Sequence, residues 1–205
     1  MAGRGRPRTF DRDAALEAAM RVFWERGYEA TSLAELTEAM GIRPPSLYAA
    51  FGSKEQLFRE AVELYERTEG SATSQALDEA ATAREGVHEA LRRNACRYTE
   101  PGKPSGCMVV LAGTNCTPEN EPVRELLAKD RRTTEEYLRA RADRGVAEGD
   151  VPPGTDTATL AAYYATVLFG LSLRARDGAP RTDLLAVADA AMTAWDGLTA
   201  TPGTA

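Results

Sequence analysis

One histidine, His88, and three cysteines, Cys96, Cys107 and Cys116, are all that a chain of 205 residues offers to soft metals or thiol chemistry. With no Cys-x-x-Cys pair and a single imidazole, a structural zinc site lacks its ligands. An odd number of cysteines in helical surroundings does not make a secreted disulfide framework. No nucleophile–base–acid set and no phosphate-cradling glycine loop can be found, so no catalytic residue, metal or cofactor is expected. No run of about 18 apolar residues is present to cross a bilayer. The basic start MAGRGRPRTF has no apolar segment behind it and does not read as a secretory signal. A reducing, cytoplasmic setting is expected.

What is present is an ordinary globular composition, 43% hydrophobic, with a formal charge of −6. A chain this long buries about 70% of its unfolded surface and needs no covalent staple. The net acidity argues against non-specific nucleic-acid binding, but its distribution says more. Arg4, Arg6, Arg8 and Arg12 crowd the first dozen residues, opposed only by Asp11. Such an arm can touch DNA or simply remain solvated.

The chain is organised around TSLAELTEAMGIRPPSLYAAFGSK, Thr31 to Lys54. Thr31 and Ser32 suit a helix N-terminus, with Glu35 placed for a capping box. Leu33, Leu36, Thr37 and Met40 share one helical face, and Gly41 stops the helix. Pro44 and Pro45 fit the first turn of a second, short helix that carries Leu47, Tyr48 and Phe51. Gly52 ends it, and Ser53 can cap a third helix from Lys54. Helix, glycine turn and short helix make a helix-turn-helix pattern. An ordinary helical hairpin would share it.

The wider stretch, Phe10 to Phe58, decides between these. Ala15, Ala19 to Phe23, Gly27-Tyr28, Thr31-Ser32, Gly41-Ile42, Leu47-Tyr48, Phe51, Ser53-Lys54-Glu55 and Leu57-Phe58 closely resemble the DNA-binding domain of the TetR (tetracycline-repressor-like) family. The resemblance implies an all-α protein of about nine helices. A three-helix head with its arm would occupy residues 1–52. A ligand-binding and dimerisation body would occupy 53–198, and a disordered tail 199–205.

Further helices are expected over about 11–26, 53–69, 84–99, 107–116, 123–148, 156–176 and 180–198, with 70–83 as a helix end and loop. In the last two, Leu160, Tyr164, Val167, Leu168 and Leu171 form one stripe, and Ala158, Ala161, Ala165 and Phe169 another. Leu184, Ala188, Ala191, Trp195 and Leu198 line the final helix. Helices apolar around much of their circumference need cover on several sides, and a second copy supplies it as a two-fold four-helix interface. The family resemblance implies the same homodimer. Two heads about 34–36 Å apart would read successive major grooves of a palindromic operator in double-stranded DNA.

For DNA contact, Arg43 is the candidate for bidentate guanine recognition. Ser46 and Tyr48 are placed for phosphates, and Pro44 and Pro45 for thymine methyls. Thr31 is expected at a helix N-terminus suited to phosphate, and Lys54 at another phosphate. Arg43, Pro44 and Pro45 depart from the usual family residues, as do Ala49 and Ala50 after Tyr48. In the resembled family a small molecule binds among the body helices. Candidate effector-binding residues are Tyr65, Tyr98, Leu111, Asn115, Tyr137 and Tyr164, a mostly apolar set that suits a small lipophilic or aromatic effector. Cys107 follows Gly106 at an expected helix N-terminus, where a thiol pKa falls. Some family members with this start respond to electrophiles or oxidants. The resemblance thus implies a sequence-specific transcriptional repressor released from its operator by such an effector; the alternatives are a thiol-sensing repressor acting through Cys107 or a helical ligand-binding protein without DNA binding, and an enzyme is not expected.

Overall fold

A computed structural model describes residues 10–200; Arg4, Arg6, Arg8 and residues 201–205 lie outside the described residues. The head contains α1 (Arg12–Ala30), α2 (Leu33–Ala39) and α3 (Pro44–Phe51). Next come α4 (Lys54–Thr68), α5 (Ala72–Glu79), α6 (Ala83–Arg97) and the single turn α7 (Met108–Leu111). The body closes with α8 (Glu121–Glu148), α9 (Thr157–Arg176) and α10 (Arg181–Ala191), which passes through a 3₁₀ turn, Met192–Ala194, into α11 (Trp195–Thr199). No strand occurs among the described residues. With α7 taken as a connector and α10–α11 as one interrupted helix, the described residues form nine helices in an all-α fold.

Local chemistry sets most boundaries. Asp11 caps α1, its carboxylate accepting from the amides of Asp13 and Ala14, and Gly27 breaks the helix near its end with φ 78° and ψ 173°. Thr82 and Glu85 form a capping box on α6. Three departures from the expected layout have physical causes. Residues 70–83 contain α5, whose buried face is Ala72, Thr73, Ala76 and Leu77; small residues give this helix a weak apolar signal. The apolar stretch 107–116 is helical only over Met108–Leu111, then turns. The expected disordered tail begins too early: Thr199 is buried in α11, its hydroxyl donating to Trp195 O at 2.9 Å.

Two apolar clusters hold the molecule together. In the first, Phe23, Tyr28 and Phe58 pack as an aromatic set, Phe58 meeting Phe23 edge-on at 4.9 Å and Tyr28 at 5.1 Å. Leu36, Leu47 and Phe51 fasten α2 and α3 to this set. It also takes in Met108 and Val109 of α7 and Val123 and Leu127 of α8, so the head's core is completed by body helices. The second cluster joins α6, α8, α9 and α10 through residues such as Leu91, Leu138, Tyr164, Leu168, Leu184 and Trp195. Cys107 packs against both clusters.

Candidate nucleic-acid interface and effector cavity

The turn between α2 and α3 is built from its caps. Ser32 Oγ accepts from Glu35 N at 3.2 Å, and Glu35 Oε2 accepts from Ser32 N at 2.8 Å, a complete capping box. Gly41 takes φ 64°, a conformation glycine adopts without steric cost. Ile42 N then donates to Thr37 O at 3.0 Å. Arg43 is extended at the N-cap of α3, and Pro44 opens the helix. Leu47 and Phe51 are buried, so the other face of α3 is turned out. Arg43, Pro44, Pro45, Tyr48 and Ala49 are exposed there, and Ser46 is half-buried. The Arg43 side chain does not cap its own helix.

Two cationic or polar expectations need correction. Thr31 does not cap α2; it is buried, with its hydroxyl donating to Gly27 O at 2.6 Å, because Ser32 takes the N-cap. Arg12 is not part of a free arm: Nη2 donates to Glu60 at 2.6 Å and the guanidinium lies 4.3 Å over the Phe51 ring. Lys54 opens α4, where it was expected. Its Nζ sits 4.3 Å over the Tyr28 ring, and burial pushes its pKa down despite Glu29 nearby.

A cavity of about 60 Å³ lies among α4, α5, α6, α7, α8 and α9. Of the residues expected to hold an effector, it brings together Tyr65, Tyr98 and Cys107. The other four lie elsewhere. Leu111 is half-buried over Gly106, and Asn115 is exposed in the turn after α7. Tyr137 is exposed beside Leu77 and Arg141 on a separate groove. Tyr164 is a core residue whose hydroxyl donates to Ala191 O at 3.4 Å. The lining also includes Glu66, Thr73, Asn94, Asp130, Thr134 and Phe169. Their signal was available: Asp130 and Thr134 fall on the apolar face of α8, where a polar residue has no core role unless something meets it.

Burial dominates the chemistry inside. It raises the Cys107 thiol pKa, although the Tyr65 phenol, the Val110 and Val109 amides and the Tyr98 phenol offset part of the rise. The expected lowering at a helix N-terminus is therefore overturned, because desolvation outweighs a four-residue helix. Burial likewise raises Asp130, against Lys129 and Arg131. Partial desolvation of its carboxyl at the cavity edge pushes Glu66, an exposed residue as a whole, up to about 6, aided by Asp130 and Glu63 and opposed by Lys129. Because the folded state holds the Glu66 proton more tightly, stability falls as pH rises from about 4.5 through about 6. Glu66→Gln should therefore raise the melting temperature slightly at pH 8 and leave it unchanged at pH 4, the effect being small because Glu66 is exposed. Equal shifts at both pH values would remove this account.

The cavity's inner wall is fastened to the head. Trp24 Nε1 donates to Gly106 O at 3.0 Å, Tyr28 N to Ala112 O at 3.0 Å, and Arg176 to the carbonyls of Trp24 and Glu25, each at 2.7 Å. Cys107 N donates to Ser172 Oγ on α9 at 2.8 Å. Three elements around the cavity thus hold the C-terminal end of α1.

A head that displays one short helix outward, tied to a helical body with an internal cavity, defines a helix-turn-helix DNA-binding transcriptional regulator. Sequence comparison agrees: residues 15–61 match the model for bacterial regulatory proteins of the tetR family, and residues 86–194 match the tetracyclin repressor-like C-terminal domain. The chain belongs to the TetR family. It is 36% identical over 197 residues to the HTH-type transcriptional repressor ComR of Escherichia coli K12, covering 94% of this chain and 92% of ComR. It is 34% identical over 186 residues to the repressor BdcR of the same organism, covering 90% and 88%. The TetR family regulator CifR, solved as a cysteine-substituted form with 26-base-pair double-strand operator DNA, superposes with a TM-score of 0.91. That alignment has 56% identity and covers 93% of this chain and 100% of CifR. No helix among the described residues is long and apolar enough to cross a membrane.

Proposed function

We propose that this chain is a cytoplasmic, homodimeric repressor that reads a palindromic operator with α3 and leaves it when a small molecule enters the α4–α9 cavity. The observation that carries the reading is the outward display of Arg43, Pro44, Pro45 and Tyr48 on a helix anchored by Leu47 and Phe51. Repressor names among the relatives and operator DNA bound to CifR support it. The head, residues 1–52, supplies DNA contact, and residues 53–198 supply the effector cavity and the dimer. Arg43 is assigned to a guanine edge, Ser46 and Tyr48 to phosphates, and Pro44 and Pro45 to thymine methyls. Lys54, poised on Tyr28 at the start of α4, is assigned to a phosphate within reach of its amine. Because α7 and α9 hold α1 through Trp24 and Tyr28, a ligand that moves either element moves the head. The ligand need only bind one head spacing better than the other.

The test is a salt titration of binding to the DNA upstream of the chain's own coding sequence, which should show one specific site and a steep slope. Arg43→Ala should cost about 1–3 kcal/mol and relax preference at one base pair. Lys54→Ala should weaken all sequences alike and reduce the salt slope by about one. Identical behaviour of the two variants across an operator library would refute these roles.

A second reading is favoured by one observation: the Cys107 thiol lies in the cavity between the Tyr65 and Tyr98 phenols. There an electrophile small enough to enter could alkylate it. The raised thiol pKa makes that reaction slow at neutral pH. Operator binding unchanged after complete alkylation, with Cys107→Ser as the control, would dismiss this route.

A further inference from the structure

The carboxylates of the cavity have no charge partner within it. Asp130 Oδ2 is shut off from solvent and has no hydrogen-bond partner, and Glu66 stands on the exposed side of the same cavity. No lysine, arginine or histidine is among the lining residues. The nearby cations are committed elsewhere or face outward. Arg131 donates to Val109 O at 2.9 Å, and Lys129 is exposed beside Arg124 and Arg132. The same cavity is lined by the aromatic rings of Tyr65, Tyr98 and Phe169, and aromatic π-faces attract cations. A buried acceptor left without a donor is costly, and a bound cation would relieve that cost. A metal ion does not suit the site, since no group of three His, Cys, Asp or Glu residues able to hold one occurs among the described residues.

We infer that the cavity selects an organic ammonium ion with a short apolar substituent, its charge set on Asp130 and Glu66 and its carbon atoms against the aromatic rings. This rests on the reading of the cavity as the effector site. The cavity volume of about 60 Å³ has room for about four to six water-sized groups, so the recognised head is small.

The probes are n-butylammonium, 1-butanol and butyrate, of near-equal size and carrying positive, zero and negative charge, held at one ionic strength with sodium chloride. Melting temperature of the full chain and fluorescence anisotropy of labelled operator DNA are read together. Butylammonium should raise the melting temperature and release the operator, with butanol about tenfold or more weaker and butyrate inert. Asp130→Asn, and Glu66→Gln at the exposed mouth, should each bring the butylammonium response down to that of butanol. Equal responses to butylammonium and butanol, a response to butyrate, silence toward all three, or an undiminished preference in both variants would overturn the inference. The regulator reading fails separately: it is lost if the ligand-free protein does not bind its operator, and it survives if operator binding is intact but indifferent to all three probes.

Discussion

Leu173→Glu and Gly170→Arg should each convert the protein to a monomer that folds normally and loses specific operator binding. Both residues lie on a stripe of α9 formed by Tyr163, Thr166, Gly170 and Leu173, all exposed in the single chain. Leu173 is 53% exposed and Tyr163 36%. Ala186, Val187, Ala190 and Thr193 on the last helix are exposed as well. A glycine in a helix interior costs about 0.5–1 kcal/mol relative to alanine, yet a Cβ at Gly170 would meet nothing within 4 Å. Nothing within the chain calls for the glycine, whereas close approach of a second α9 would. In a two-fold interface each substitution counts twice. Losing two buried leucines at about 1.5–3 kcal/mol each weakens the dimer by about two to four orders of magnitude, before any charge repulsion. Sedimentation equilibrium and anisotropy on operator DNA check the outcome, and an unchanged melting transition of the protomer shows that folding is intact. Variants that stay dimeric with full affinity would remove α9 from the interface.

This stripe also shows where sequence reading reached its limit. In the two apolar stripes of α9 visible in the sequence, Leu160, Tyr164, Leu168 and Leu171 and also Ala161 and Ala165 are buried within the chain, while Val167 and Phe169 are half-buried and Ala158 is exposed. The face left open consists of glycine, threonine and single large residues, a pattern that hydropathy does not mark. The head was legible for the opposite reason. Ser32 with Glu35, Gly41, Pro44 and Gly52 are local signals, each acting through its own backbone, and they placed α2 and α3 closely. Phe58 and Leu47 were legible by helical spacing. The cavity was half-legible: Tyr65, Tyr98 and Cys107 come together, but Asn115, Tyr137 and Tyr164 do not. Whether an aromatic faces a cavity, the core or solvent depends on packing between helices distant in sequence. The polar residues Asp130 and Asn94 were the better clue, since core spacing without a core side chain marks a place where something polar must be met. The sign of the Cys107 pKa shift was missed because the sequence shows the helix start but not the burial around it.

Gly106→Ala should destabilise the chain more than any other single-methyl change considered, and should uncouple the body from the head. Gly106 has φ 78°, and a Cβ there would lie 2.7 Å from Ser172 O and 2.7 Å from Leu111 Cδ1. The leucine can rotate, but the Ser172 carbonyl belongs to α9 and cannot move alone. Gly106 N donates to Tyr98 O at 3.0 Å, and Gly106 O accepts from Trp24 Nε1 at 3.0 Å. One residue therefore bonds α1 and the end of α6 while lying against α9. The left-handed conformation costs a non-glycine residue about 1–2 kcal/mol, and overpacking against backbone adds about 1–3 kcal/mol. In a chain of this length, 205 residues, that corresponds to a fall in melting temperature on the order of 10 °C. Gly102→Ala is the control, because Gly102 has φ 80° but open space around its Cβ position. It should show the conformational cost alone, so the difference between the two variants isolates the packing against α9. Trp24 fluorescence should shift in Gly106→Ala as its Nε1 loses the carbonyl, and operator affinity should fall at temperatures where the protein is still folded. If the two glycine variants melt together and bind operator equally, the Gly106 junction is not what joins cavity to head.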